Sequence, residues 1–151
     1  MIQYKRAFTM IELIFVIVIL GVLAAVAIPK LAATRGDAKV ARMVQNIMTG
    51  ASEIASYAIA NGKTEDDLTK MSNSMDDLLN SGDAILTAKK AVIQMGGVSD
   101  CIILEILTDT NDDNLTLSLG TPGTDTQCLA LQHSVDVAKY PMKLRGQNVT
   151  Y

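Results

Sequence analysis

Residues 5–35 read KRAFTMIELIFVIVILGVLAAVAIPKLAATR, and the architecture follows from this stretch. Of the positions 8–28, 18 of 21 are hydrophobic, and as a helix they reach roughly 31 Å, the hydrocarbon thickness of a bilayer. Lys5 and Arg6 precede the run while Lys30 and Arg35 follow it, so orientation rests on the short leader, which we read as cytoplasmic. Three readings compete for the segment. Lys5-Arg6, the apolar run and Ala25-Val26-Ala27 have the form of a cleaved secretory signal. The run also suits a plain anchor, or a helix that is first an anchor and then an assembly element.

Glu12 favours the third reading. A carboxylate near the start of an otherwise apolar run burdens both a signal peptide and a passive anchor, marks a function, and calls for a cationic partner within the membrane.

The basic leader Lys5-Arg6-Ala7, the Phe8-Thr9-Met10-Ile11-Glu12-Leu13 start, and Gly21 and Pro29 in a run ending AVAIPKLAATR resemble the amino-terminal signature of type IV pilins and type II secretion pseudopilins. The resemblance covers residues 5 to about 35. It implies cleavage by a prepilin peptidase between Ala7 and Phe8 on the cytoplasmic side, followed by N-methylation of Phe8. The family usually has Gly before the cut, and this chain has Ala7, another small residue. Cleavage would create an amine one helical turn from Glu12, on the same or a neighbouring subunit. A neighbour's amine would neutralise the acid and favour polymerisation over isolation in lipid. Phe8, Glu12, Gly21 and Pro29 are thus the implied assembly residues. Gly21 and Pro29 weaken the helix locally, and a kink or melted turn is expected there.

Outward from this segment the composition becomes ordinary. The chain has 151 residues, 49% hydrophobic overall, and the fraction falls to about 42% from Pro29 onward, close to the globular range. Net charge is -3, which becomes -5 without Lys5 and Arg6, and only Lys89-Lys90 are adjacent cations in the body. Nucleic acid is therefore not expected as the main ligand. With a single histidine, His133, and two cysteines, no zinc cluster can be assembled. No nucleophile elbow or phosphate loop is present, so no enzyme activity and no cofactor are expected.

Val40, Val44, Ile47, Ala51, Ile54 and Ala58 recur at helical spacing, opposite Lys39, Arg42, Gln45, Asn46 and Glu53. One nearly continuous helix from Phe8 to about Ala60, stopped by Asn61-Gly62, is predicted. Thr64 followed by three acids predicts a second helix with Leu68, Met71, Met75, Leu78 and Leu79 on its apolar face. Residues 83–90 suit a further short helix. The apolar run 101–107, the turn 111–114 and alternating Leu115, Leu117 and Leu119 predict a hairpin. From Gln127 the pattern suits helix and strand alike, and residues 142–145 and 148–151 suit a last hairpin.

Cys101 and Cys128, in an exported body, read as one disulfide, in agreement with the cysteine pair of many pilins; two buried free thiols are the alternative. Asp109, Asn111 and Asp113 in an acidic turn are a weak candidate for calcium, as some pseudopilins bind it in their heads. The string lacks the Gly and Glu of an EF-hand loop, and an acidic hairpin turn is favoured; no metal site is predicted.

The expected protein is α+β: residues 1–7 a cleaved leader, 8–28 the transmembrane and filament-core helix, 29–61 its amphipathic continuation, and 62–151 a globular head with a small antiparallel sheet. The resemblance implies a single-pass inner-membrane subunit with a periplasmic head, in lipid before assembly. It would later enter a homo-oligomeric or mixed helical filament with other pilins, periplasmic or extracellular. Its partners would be prepilin peptidase and an inner-membrane assembly platform. A pilus subunit for adhesion, motility or DNA uptake is the first reading, a type II secretion pseudopilin the second. A secreted or membrane-anchored binding domain is the alternative from another class.

Overall fold

The computed structural model of the chain describes residues 8–109 and 112–145, apart from the side chains of residues 32, 33 and 145. A run without turn chemistry from the apolar segment to Asn61 forms one helix, α1 (Met10–Asn61, 52 residues). Gly62 ends it: its φ of +65° suits a residue without Cβ, and its N–H donates to Ala58 O at 2.9 Å. The helix passes through Gly21 and Pro29 without a melted turn. Proline removes its own backbone donor, and the helix continues on either side of it. The chain divides into two compact units, Met1–Asp37 and Ala38–Tyr151.

In the first unit the side chains of the apolar segment, from Phe8 to Leu31, are exposed. Mean hydropathy reaches 3.1 over 18 residues, so this helix is long and apolar enough to cross a membrane.

In the second unit α1 buries Val40, Met43, Ile47, Ala51, Ile54 and Ala58. Met43 rather than Val44 lies at the centre of the stripe; Val44 is only partly buried. Each large side chain fully buried among these contributes roughly 1.5–3 kcal/mol. At Gly50 a Cβ would strike the Met75 side chain, so the missing side chain is what lets Met75 pack against α1.

The helix expected to start at Thr64 does not form as one element. Asp67 caps a short 3-10 turn, Leu68–Lys70, and Ser72 caps α2 (Asn73–Asn80) by accepting from Met75 N at 3.1 Å. Thr64 instead donates its hydroxyl to Asp113 Oδ2 at 2.9 Å. Leu68, Met71, Met75 and Leu78 are buried as the apolar pattern required, whereas Leu79 is exposed. Glu53 on α1 supports this arrangement by accepting from Ser72 Oγ at 2.6 Å and Ser74 N at 3.1 Å. Burial pushes the Glu53 carboxyl up, but these donors outweigh it and hold it below the ordinary carboxylate value.

The rest forms an antiparallel meander in sequence order: β1 (Ala84–Thr87), β2 (Lys90–Met95), β3 (Val98–Thr108), β4 (Asp113–Leu119) and β5 (Met142–Arg145). The predicted hairpin is β3–β4, with Leu104 opposite Leu117 and Ile106 opposite Leu115. Residues 83–90 are strand and turn rather than helix, because Ala84 to Thr87 pair with Ile93 to Lys90. Strand β2, buried at alternate positions, was not anticipated. Strand β5 pairs with β4, placing Met142 opposite Leu115; the segment 148–151 of the expected last hairpin lies outside the described residues. The ambiguous stretch after Gln127 is helical, α3 (Thr126–Ser134), followed by a 3-10 turn, Val137–Lys139.

Asp83 ties α1 to the start of the sheet. Its carboxylate, 9% exposed, receives Lys39 Nζ at 3.0 Å, Arg42 Nη2 at 2.5 Å and Ser81 Oγ at 2.9 Å. Burial raises its pKa, but the bonds from Lys39, Arg42 and Ser81 prevail and keep it below the ordinary aspartate value. A depressed folded pKa means stabilisation that is present above the unfolded value, about 3.9, and lost as pH falls through the folded one. We therefore expect the Tm gap between the wild type and Asp83→Asn to be widest above about pH 4 and to close progressively below it. A gap independent of pH would show that the ion cluster contributes nothing.

Candidate processing and assembly site

The amino-terminal end of α1 carries a local structure that the sequence reading missed. Thr9 precedes the helix, and its backbone N–H and hydroxyl donate to Glu12 Oε2 at 2.9 and 2.8 Å. Glu12 N lies 3.3 Å from Thr9 Oγ1. This reciprocal pairing is a capping box, and its signal was present: Thr-x-x-Glu directly before an apolar run. Two exposed amide donors of the first turn are thereby satisfied, and the acid lies near the positive end of the helix dipole.

The capping box changes the account of Glu12. The carboxylate is not bare in the isolated chain, since Thr9 fixes one of its oxygens. A carboxylate has about four acceptor positions, so an ammonium group can still be added. Phe8, 82% exposed, stands immediately before Thr9. Ala7 lies outside the described residues, so the candidate cleavage bond is placed only on its Phe8 side. Gly21 and Pro29 lie within α1 and not at this end; a Cβ at Gly21 would meet nothing within 4 Å.

Cys101 on β3 and Cys128 on α3 form the predicted disulfide, both fully buried, with Cα atoms 5.7 Å apart. Around it, Asp125 caps α3 by accepting from Cys128 N at 2.8 Å and also receives Gly97 N at 3.2 Å. These backbone donors, Cys128 first, hold the Asp125 carboxyl below its ordinary value. Gln132 Nε2 reaches Cys101 O at 2.8 Å and Gly120 O at 3.0 Å. The bridge thus joins α3 to the sheet at a point fixed by side chains on both sides.

Of the weak calcium candidates, Asn111 lies outside the described residues. Asp113 is 2% exposed and accepts from the Thr64 hydroxyl, and Asp109 N donates to Asp112 O at 2.8 Å. Among the described residues, no group of three or more His, Cys, Asp or Glu side chains is arranged to hold a metal ion.

Residues 2–28 match the family model described as the Prokaryotic N-terminal methylation motif, the prepilin-type signature of type IV pilins and pseudopilins. No curated protein and no solved structure matches the chain.

Proposed function

We propose that this chain, which carries the prepilin-type signature, is the precursor of a type IV pilus subunit whose activity is polymerisation rather than catalysis. The observation that carries the reading is the placement of Glu12. It is the only charged side chain between residues 8 and 28 and is held one helical turn from Phe8. In the proposed sequence of events the leader stays cytoplasmic and residues 8–28 span the inner membrane. The head is then periplasmic. Prepilin peptidase cuts between Ala7 and Phe8, and the new amine is methylated. An inner-membrane platform then draws the subunit into a homo-oligomeric or mixed filament, periplasmic or extracellular. There a neighbour's Phe8 amine completes the partners of Glu12.

The second reading, a type II secretion pseudopilin, shares every one of these steps. The pilus is favoured because, among the described residues, no group of three or more His, Cys, Asp or Glu side chains is arranged to hold a metal ion; Asp113 accepts from Thr64, and Asp112 lies 3.9 Å from Lys143. The processing step is tested by mass spectrometry of protein from its native membranes. The expected amino terminus is methylated Phe8. A terminus at Ile28 would establish a secretory signal and a released binding domain. An intact leader on all copies would leave a plain anchor.

A further inference from the structure

We propose that Asn114 is an acceptor of N-linked oligosaccharide. The inference rests on the reading above for one point only, that the head lies across the membrane from the leader. The residues are Asp112-Asp113-Asn114-Leu115-Thr116, an Asn-x-Thr tripeptide without proline at the middle position. Asp112 adds a carboxylate two positions before the acceptor, where a cationic side chain of a transferase can pair with it.

The fold leaves this position open. Asn114 is the second residue of β4, and its side chain, partly exposed, alternates with buried Asp113 and Leu115. It therefore points away from the core, as does Thr116. Its register neighbours are Leu107 on β3 and Lys143 on β5, both well exposed, so a bulky substituent displaces no core side chain. Among the described residues no hydrogen bond holds the Asn114 amide, in contrast to Gln132, whose amide spans two carbonyls.

The same geometry dictates when the transfer takes place. In the folded head Thr116 Oγ1 donates to Glu105 O at 3.0 Å, and Asp112 faces Lys143. The hydroxyl that a transferase must read is already in use. Transfer therefore precedes closure of β4 onto β3, while the head emerges from the membrane. The donor is a polyprenyl-diphosphate oligosaccharide. Asn114 Nδ2 bonds to the anomeric carbon, the bond from that carbon to the diphosphate oxygen breaks, and polyprenyl diphosphate leaves. The amide proton passes to a base on the transferase.

The test is mass spectrometry of full-length protein from its native membranes, digested on the amino side of aspartate to release residues 113–124. The expected result is a peptide heavier by an oligosaccharide, with fragmentation placing the mass on Asn114. Asn114→Gln and Thr116→Val are expected to lose it, and Thr116→Ser to keep it. An unmodified peptide, or mass on a threonine, overturns the proposal. Protease added to spheroplasts separates the two readings. If the head is digested and Asn114 is bare, only the glycan proposal falls. If the head is protected, the proposed membrane orientation falls with it.

Discussion

Glu12→Leu is expected to leave the subunit in the inner membrane at wild-type level while lowering its recovery in sheared or sedimented filaments by at least about tenfold. The substitution makes residence in lipid easier and removes the group that a neighbour's amine would pair with. A passive anchor would be improved by the same change. Glu12→Gln separates the two roles that the structure and the proposed assembly give this side chain. Glutamine can occupy the third helical position of a capping box, so the turn stays capped while the charge is gone. If pairing with the amine drives assembly, Glu12→Gln is as defective as Glu12→Leu. If the carboxylate serves only to start α1, the glutamine variant restores filaments, and the assembly role is refuted. Thr9→Val complements these variants. It removes the hydroxyl donor to Glu12 but keeps the side-chain shape and the backbone donor, so an intermediate yield is expected. Filament immunoblots normalised to membrane-bound subunit provide the comparison.

The second large effect is expected at the disulfide. Replacing Cys101 and Cys128 by Ala releases a loop with a sequence separation of 27. The chain-entropy relation assigns such a loop about 3–4 kcal/mol. For a unit of this size the loss lowers Tm by roughly 15 °C. Either single replacement is expected to cost nearly as much as the pair, because the bond is absent in both cases. Reductant is expected to shift the wild-type protein to the same Tm and leave the double variant unchanged. Thermal melts in detergent, with and without reductant, measure this directly. A shift below about 3 °C would mean that the packing of α3 through Leu131, Gln132 and Asp125, and not the covalent link, holds the carboxy-terminal part of the head.

The two predictions concern different parts of the chain, and each part was legible for its own physical reason. The amino-terminal end was readable because everything in it is local. A run of apolar residues at helical rise, a basic leader and an acid at the fifth position of the expected mature chain need no distant partner to be interpreted. Even the capping box, which the sequence reading missed, is a four-residue pattern. The disulfide was readable because the chain has only two cysteines, which leaves one pairing.

Within the head, the sequence by itself determined those features whose interactions lie close along the chain. These are the end of α1 at Asn61-Gly62, the β3–β4 hairpin around its acidic turn, and the burial of Leu68, Met71, Met75 and Leu78. Tertiary structure alone decided the rest. Thr64 has good capping chemistry, but its hydroxyl is claimed by Asp113, 49 positions away, and the helix begins at Asn73, capped by Ser72. Residues 84–87 have no strong local preference and become a strand because β2 supplies the partner. Strand β5 joins β4 across α3, a pairing that no local pattern announces. Lys39 and Arg42, which read as a solvated helix face, converge on Asp83. In each case a local preference worth a fraction of a kcal/mol yields to a distant hydrogen-bond or packing partner that the linear order does not reveal.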